Sequence, residues 1–314
     1  MRLLRLFPDD THYPFMRWRK LSFPLSGLLS VVCFLGFFLI GMNTGIDFQG
    51  GTLMEIETKD GPADLGAIRE RLGELNLGEV QVQEFGEPQN VLIRIVRQEG
   101  GDDAQQAVVG KVQAAFGDEV EYRRVEVVGP RVSGELAQNG TFGVLLSLLC
   151  IMVYVWFRFE WQYALGAIVA TLHDIVLTVG LFAFLQLEFN LSSIAAILTI
   201  IGYSLNDTVV VYDRIRELRR KYKRMHLITL LDLAINQTLA RTTMTAATTL
   251  IALSSLYLFG GEVIRSFTFA MLFGVLVGTY SSIFIAAPVL IFLDPQLTPN
   301  PADEEETTAE PKAA

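Results

Sequence analysis

Six apolar runs, each near the roughly 20 residues a helix needs to cross a bilayer, constrain this chain more than any other feature. They fall at about 21–42, 136–157, 161–185, 189–212, 242–259 and 266–293. The last exceeds one bilayer thickness, so the sequence predicts tilt or an extension beyond the membrane there. With 51% apolar residues overall, the fold class is an α-helical polytopic membrane protein with six transmembrane helices. The formal net charge of -9 nevertheless requires a sizeable acidic portion in water. The first run is too long for the apolar part of a signal peptide, and no small-residue cleavage site follows it. Cys33 and Cys150 both lie inside apolar runs and read as small membrane-helix residues, since neither a disulfide framework nor a metal-ligand cluster surrounds them.

Orientation follows from Lys and Arg in the short flanks. Arg2, Arg5, Arg17, Arg19 and Lys20 precede the first run, and seven basic residues between Arg214 and Arg224 separate the fourth from the fifth. The connector between runs three and four has no Lys or Arg, and Arg265 between runs five and six is offset by Glu262. This pattern predicts a multi-pass protein of the bacterial cytoplasmic (inner) membrane with both termini cytoplasmic. Trp18, Trp156 and Trp161 sit at cytoplasmic span ends, where indole rings favour the headgroup layer. The Arg214–Arg224 run itself reads as a solvated topology determinant near anionic lipid. It is too short, and too closely flanked by apolar runs, to be a nucleic-acid footprint.

Between the first two spans, residues 43–135 change character. Thr52-Leu-Met-Glu-Ile-Glu-Thr58 alternates as a half-buried strand does. Residues 62–75 open on a proline and carry Leu65, Ile68, Leu72 and Leu75 on one helical face. Strands are expected at 80–85, 91–96 and 120–128, with a second helix at 102–116 stopped by Gly117. The order β-α-β-β-α-β is that of a small α+β ferredoxin-like extracytoplasmic domain. The remaining segments are a cytoplasmic N-terminus at 1–20, transmembrane helices 2–6 across 136–293, and a tail at 294–314. The tail is Pro-rich and acidic, a composition that predicts disorder.

Ionisable residues inside spans are costly and therefore informative. His173 and Asp174 lie in the third span, near the midplane by count. Asp207, flanked by Asn206 and Thr208, lies in the cytoplasmic half of the fourth. A carboxylate and an imidazole at different depths suit stepwise proton movement. The His173–Asp174 pair fits an interhelical hydrogen-bonding role equally well. Arg241 opens the fifth span before a threonine-rich stretch, and is either a snorkelling cation or the charge partner of Asp207. Gly45-Ile-Asp-Phe-Gln-Gly-Gly51 follows a span rather than a strand, so it reads as a tight turn and not a phosphate loop. Gly274 and Gly278 are spaced for close helix packing. No Walker-A motif, HExxH or GxSxG sequence appears, and no catalytic set is complete; the chain is therefore expected not to be an enzyme and to need no cofactor.

Four motifs together resemble the SecF family. They are the Gly45–Gly51 turn (including Asp47, Gly50 and Gly51), His173-Asp174, Gly202-Tyr-Ser-Leu-Asn-Asp-Thr-Val-Val-Val-Tyr-Asp-Arg-Ile-Arg-Glu217, and Arg241-Thr242. The small-residue pattern Gly274-Val-Leu-Val-Gly-Thr-Tyr-Ser-Ser282 resembles that family's final span. The resemblance implies a subunit that pairs with SecD beside the SecYEG translocon, within the resistance–nodulation–division superfamily. It implies proton-driven movement of extracytoplasmic domains that capture unfolded precursor polypeptide. Asp207 would carry the proton, Arg241 would be its charge partner, and His173, Asp174 and Asn206 would add to the path. Protons are the implied coupling ion and sodium the alternative; membrane lipid is a partner and nucleic acid is not. Two rival readings are a proton-driven small-molecule or lipid exporter of the same superfamily and a passive translocon assembly factor.

Overall fold

A computed structural model describes residues 11–293. Arg2, Arg5 and the acidic tail at 294–314 lie outside the described residues. A 3-10 turn, Phe15–Trp18, leads into α1 (Arg19–Ile40), and the one-turn α2 (Ile46–Gln49) then opens the α/β domain. The domain runs β1 (Gly51–Thr58), α3 (Leu65–Gly73), β2 (Val80–Phe85), β3 (Glu87–Ile95), α4 (Gly101–Phe116) and β4 (Val120–Val128). The membrane half follows as α5 (Pro130–Arg158), α6 (Trp161–Leu185), α7 (Leu191–Lys221), α8 (Leu227–Phe259) and α9 (Arg265–Ser281). A π-helical turn at Ser282–Ala286 then joins α9 to α10 (Ala287–Leu293). The π turn counts with α9 and α10 as one span, which gives six helices long and apolar enough to cross a membrane among the described residues.

The four strands form one sheet in the order β2-β3-β1-β4, every neighbour antiparallel. This is the split βαβ arrangement expected from the sequence. α3 and α4 cover one face through Ile68, Leu72, Val108, Val112 and Phe116, which pack on Met54, Ile56, Ile93 and Ile95. Asp64 caps α3 by accepting from the Gly66 and Ala67 amides at 2.9 and 3.1 Å, so this helix starts three residues beyond Pro62. Tyr122, whose hydroxyl donates to the Val112 carbonyl at 3.3 Å, has its pKa raised by burial. On the other face Leu53 and Leu92 pack against Ile46 of α2.

Two features of the membrane half depart from hydropathy. α8 begins at Leu227 rather than near 242, and α7 runs on to Lys221. The added stretch of α8 is amphipathic: Leu227, Leu230, Leu231, Ala234, Ile235 and Thr238 are buried at helical spacing, so no continuous apolar run marks it. Most of the basic run is therefore helix. Arg214 donates to Gln237 at 2.8 Å and Asp213 pairs with Arg158 at 2.9 Å. The segment before α1 straps this extension: Asn236 exchanges two 2.9 Å hydrogen bonds with the Tyr13 backbone, and the Met16 amide donates to Asp232 at 2.8 Å.

The inner helices are α6, α7 and α9. Gly274 and Gly278 of α9 face Ile200 and Ser204 of α7 so closely that a Cβ at either would collide, which is the close approach small residues permit. The π turn precedes Pro288, which has no N–H to continue the ladder. Nearby, the Tyr212 hydroxyl donates to the Ala286 carbonyl at 2.9 Å. By contrast α1, α5 and α8 leave long apolar faces bare, with residues such as Leu39, Phe157, Ile251 and Phe259 exposed.

Candidate functional site

α7 turns Asp207 inward, where it is 2% exposed. From α8, Thr245 and Arg241 stand beside the carboxylate. Its Oδ2 has no hydrogen-bond partner. One turn nearer the domain, the Tyr203 hydroxyl sits among Thr245, Thr249 and Thr279 without closing a bond of good geometry. The Thr242 hydroxyl is likewise buried and unpartnered. Thr245 and Thr249 donate to carbonyls of their own helix at 2.9 Å, which leaves their oxygens able to accept. A buried acceptor left unsatisfied costs about 1–3 kcal/mol, so this carboxylate sits in a less accommodating place than a fully partnered one.

Asp174 on α6 is fully buried and opposite in character. Its Oδ1 meets His173 Nδ1 at 3.0 Å, and its Oδ2 accepts from Ser204 at 2.5 Å and from Ser281 at 2.8 Å. One carboxylate thus pins α6, α7 and α9 together. The His173 ring lies beside that of Tyr280, whose hydroxyl bonds Ser26 of α1 at 2.8 Å; the Nε2 of His173 is buried without a partner. Between the relay and packing roles the sequence leaves open for this pair, the saturated geometry of Asp174 favours packing.

The predicted site residues therefore form separate groups. Asp207 and Arg241 share the α7–α8 contact. His173 and Asp174 connect to it through Ser204, which lies on the same face of α7 one turn from Asp207. Asn206 points away, exposed on α7, and Arg241 is exposed on α8. Gly45, Asp47, Gly50 and Gly51 lie at the domain joint, well away from both carboxylates. Sequence reasoning missed Tyr203, Ser204 and Ser281. Tyr203 and Ser204 were findable, because they stand four and three residues before Asp207 on one helix.

Comparison with known proteins decides the family. The sequence profile of the protein export membrane protein SecD/SecF C-terminal region matches residues 108–296, and that of the SecD/SecF GG motif matches 36–61. The chain belongs to the SecD/SecF family. It is 45% identical over 294 residues to a protein translocase subunit SecF of Rickettsia rickettsii, with 91% of this chain and 94% of that one aligned. It is 49% identical over 290 residues to a protein translocase subunit SecDF of Brucella abortus, spanning 92% of this chain but 38% of that longer protein. The crystal structure of the translocon-associated SecDF of Thermus thermophilus superposes with a TM-score of 0.82 at 32% identity, over 92% of this chain and 40% of that one. A SecDF structure in the super-membrane-facing form gives 0.69 at 31% identity, over 97% of this chain and 41% of that one. Membership makes the chain a multi-pass inner-membrane protein with a role in protein export.

The glycines of the family's GG motif have physical reasons here. Gly50 and Gly51 adopt φ of +72° and +135°, and a Cβ on Gly51 would strike the Ile95 carbonyl across the sheet. Only glycine combines that backbone with that approach.

Proposed function

We propose that this chain is a proton-motive-force-coupled accessory subunit of the Sec translocon. In this reading it pairs with SecD beside SecYEG and promotes movement of unfolded precursor polypeptide across the cytoplasmic membrane, with no covalent chemistry of its own. The observation that carries the reading is Asp207: a buried carboxylate inside a membrane helix, one oxygen unpartnered, facing Arg241 on a neighbouring helix. A charge in such a place is costly, and intramembrane carboxylates mark ion pathways.

The mechanism is a population shift. Ionised Asp207 attracts Arg241 and favours the α7–α8 arrangement that brings them together. Protonation removes that attraction, and the equilibrium moves by the difference in interaction energy between the two arrangements. Reversing a 1:99 population needs about 5.5 kcal/mol of such differential interaction. Asn206 and Arg241 are both exposed on this chain, and the bare α7 and α8 faces that carry them suit coverage by SecD. Both termini then lie in the cytoplasm, with the α/β domain outside.

The test is precursor export into inverted membrane vesicles, with and without a proton gradient, comparing the wild type with Asp207→Asn. The expected result is loss of the gradient-dependent part alone. Equal export by both forms contradicts the reading and favours an assembly factor. Replacing the proton gradient by a sodium gradient, with no recovery of export, supports protons as the coupling ion.

A further inference from the structure

The domain joins the membrane half covalently through two neighbouring strands. β1 begins at Gly51 and β4 ends at Val128, and these two residues are register partners. Both covalent joints therefore lie side by side at one end of the sheet. The structure adds a non-covalent attachment on the other side of β1. The loop between α6 and α7 pairs with the linker after α1: the Phe189 amide donates to the Asn43 carbonyl and the Gly45 amide to the Phe189 carbonyl, both at 2.8 Å. Arg94 on β3 reaches Glu188 of this loop at 2.8 Å and Asn43 at 3.1 Å, with the side chains of the ion pair 14% and 22% exposed. Asp47 of the GG motif accepts from the amide of Leu191, the first residue of α7, at 2.8 Å.

We propose that Asp47 and the Arg94–Glu188 pair are positioning residues that tie the domain to α7, so that a shift of α7 swings the domain rather than leaving it behind. This rests on the reading of Asp207 given above, because α7 is the helix that carries it. Asp207 stands about 24 Å along α7 from Leu191 at 1.5 Å per residue, and an intact helix transmits displacement over that length. The Leu191 amide is a donor that α7 cannot satisfy internally, and a carboxylate suits the positive end of its dipole. Asn190 caps the Ser193 amide from within the same loop at 3.1 Å. The end of α7 is thus held both by its own loop and by the domain. The ion pair is shielded on both sides, which separates it from exposed pairs that contribute little. Gly45 belongs to the same contact, since a Cβ there would lie 2.7 Å from Glu188 Oε1. The GG motif in this chain therefore does more than turn the chain into β1: its aspartate grips the helix that bears the buried carboxylate.

The experiment uses vesicles containing the full chain with SecD, and compares Arg94→Glu, Glu188→Arg, the double exchange, Asp47→Ala, Asp47→Asn and Asp207→Asn. Each single charge reversal and Asp47→Ala should lower gradient-dependent export by about 2- to 30-fold, the range of coupling changes seen for residues between linked sites. Gradient-independent export should be unchanged, and the domain of each variant should resist protease as the wild-type domain does. The double exchange should restore the gradient-dependent part, and Asp47→Asn, still an acceptor, should keep most of it. Wild-type behaviour of the single reversals while Asp207→Asn loses the gradient response overturns the attachment but leaves the Asp207 reading standing. If Asp207→Asn also behaves as wild type, the reading beneath falls first. Single losses without recovery in the double exchange overturn the pair as the coupling contact.

Discussion

Asp174 and Asp207 are the same residue type, both buried among membrane helices, and they stand about a turn apart through Ser204. Their surroundings separate them. Asp174 has partners on both oxygens from three helices. Asp207 has a free Oδ2, a threonine and a cation across a helix boundary. A saturated carboxylate is a fastener, because changing its charge would break several bonds at once. An under-partnered one beside a cation has two charge states within reach. Burial alone does not assign a role; the inventory of partners does.

The contrast can be broken most forcefully by removing each carboxylate. Asp174→Leu should strip hydroxyl partners from Ser204 and Ser281 and destabilise the purified protein by about 1–3 kcal/mol, seen as lower resistance to denaturant. Asp207→Leu should leave that resistance unchanged or raise it, since replacing a buried charge by an apolar side chain is often neutral or stabilising. Equal losses would erase the distinction.

A smaller effect is expected at Tyr203. Its hydroxyl closes no hydrogen bond of good geometry, so Tyr203→Phe should fold and insert as the wild type does. If that hydroxyl forms part of the route to Asp207, gradient-dependent export should fall, though by less than the loss for Asp207→Asn, because the hydroxyl is one of several polar groups beside the carboxylate. An unchanged gradient response confines the route to the threonines and Arg241.

Much of the architecture was legible because its signals are local. Six apolar runs gave six spans, and alternation and amphipathic spacing gave the order of the ferredoxin-like domain. The first half of α8 was not legible from hydropathy, because Thr229, Asp232, Asn236, Gln237 and Thr238 interrupt its apolar residues. The strap made by Tyr13 and Met16 across that segment depends on residues more than 200 positions apart. Asp207, Arg241 and His173-Asp174 stood out as polar groups in apolar runs, but their partners did not: Ser204 and Ser281 meet Asp174 only because Gly274 and Gly278 let α9 approach α7. Asn206 shows the limit of reading neighbours in sequence as neighbours in space. One step along a helix turns a side chain by about 100°, and that step puts Asn206 on the bare face while Asp207 is buried. Arg94 and Glu188 carried no motif, since an ion pair between a strand and a loop leaves no periodic trace.

The most direct measurement is labelling of membrane-embedded wild-type protein, together with SecD, by a lipophilic carbodiimide, which attacks protonated buried carboxyl groups, with peptide mass spectrometry across a pH series. Modification is expected at Asp207, declining as pH rises, with Asp174 unmodified throughout. Labelling of Asp174 with Asp207 silent would invert the two roles and contradict the account.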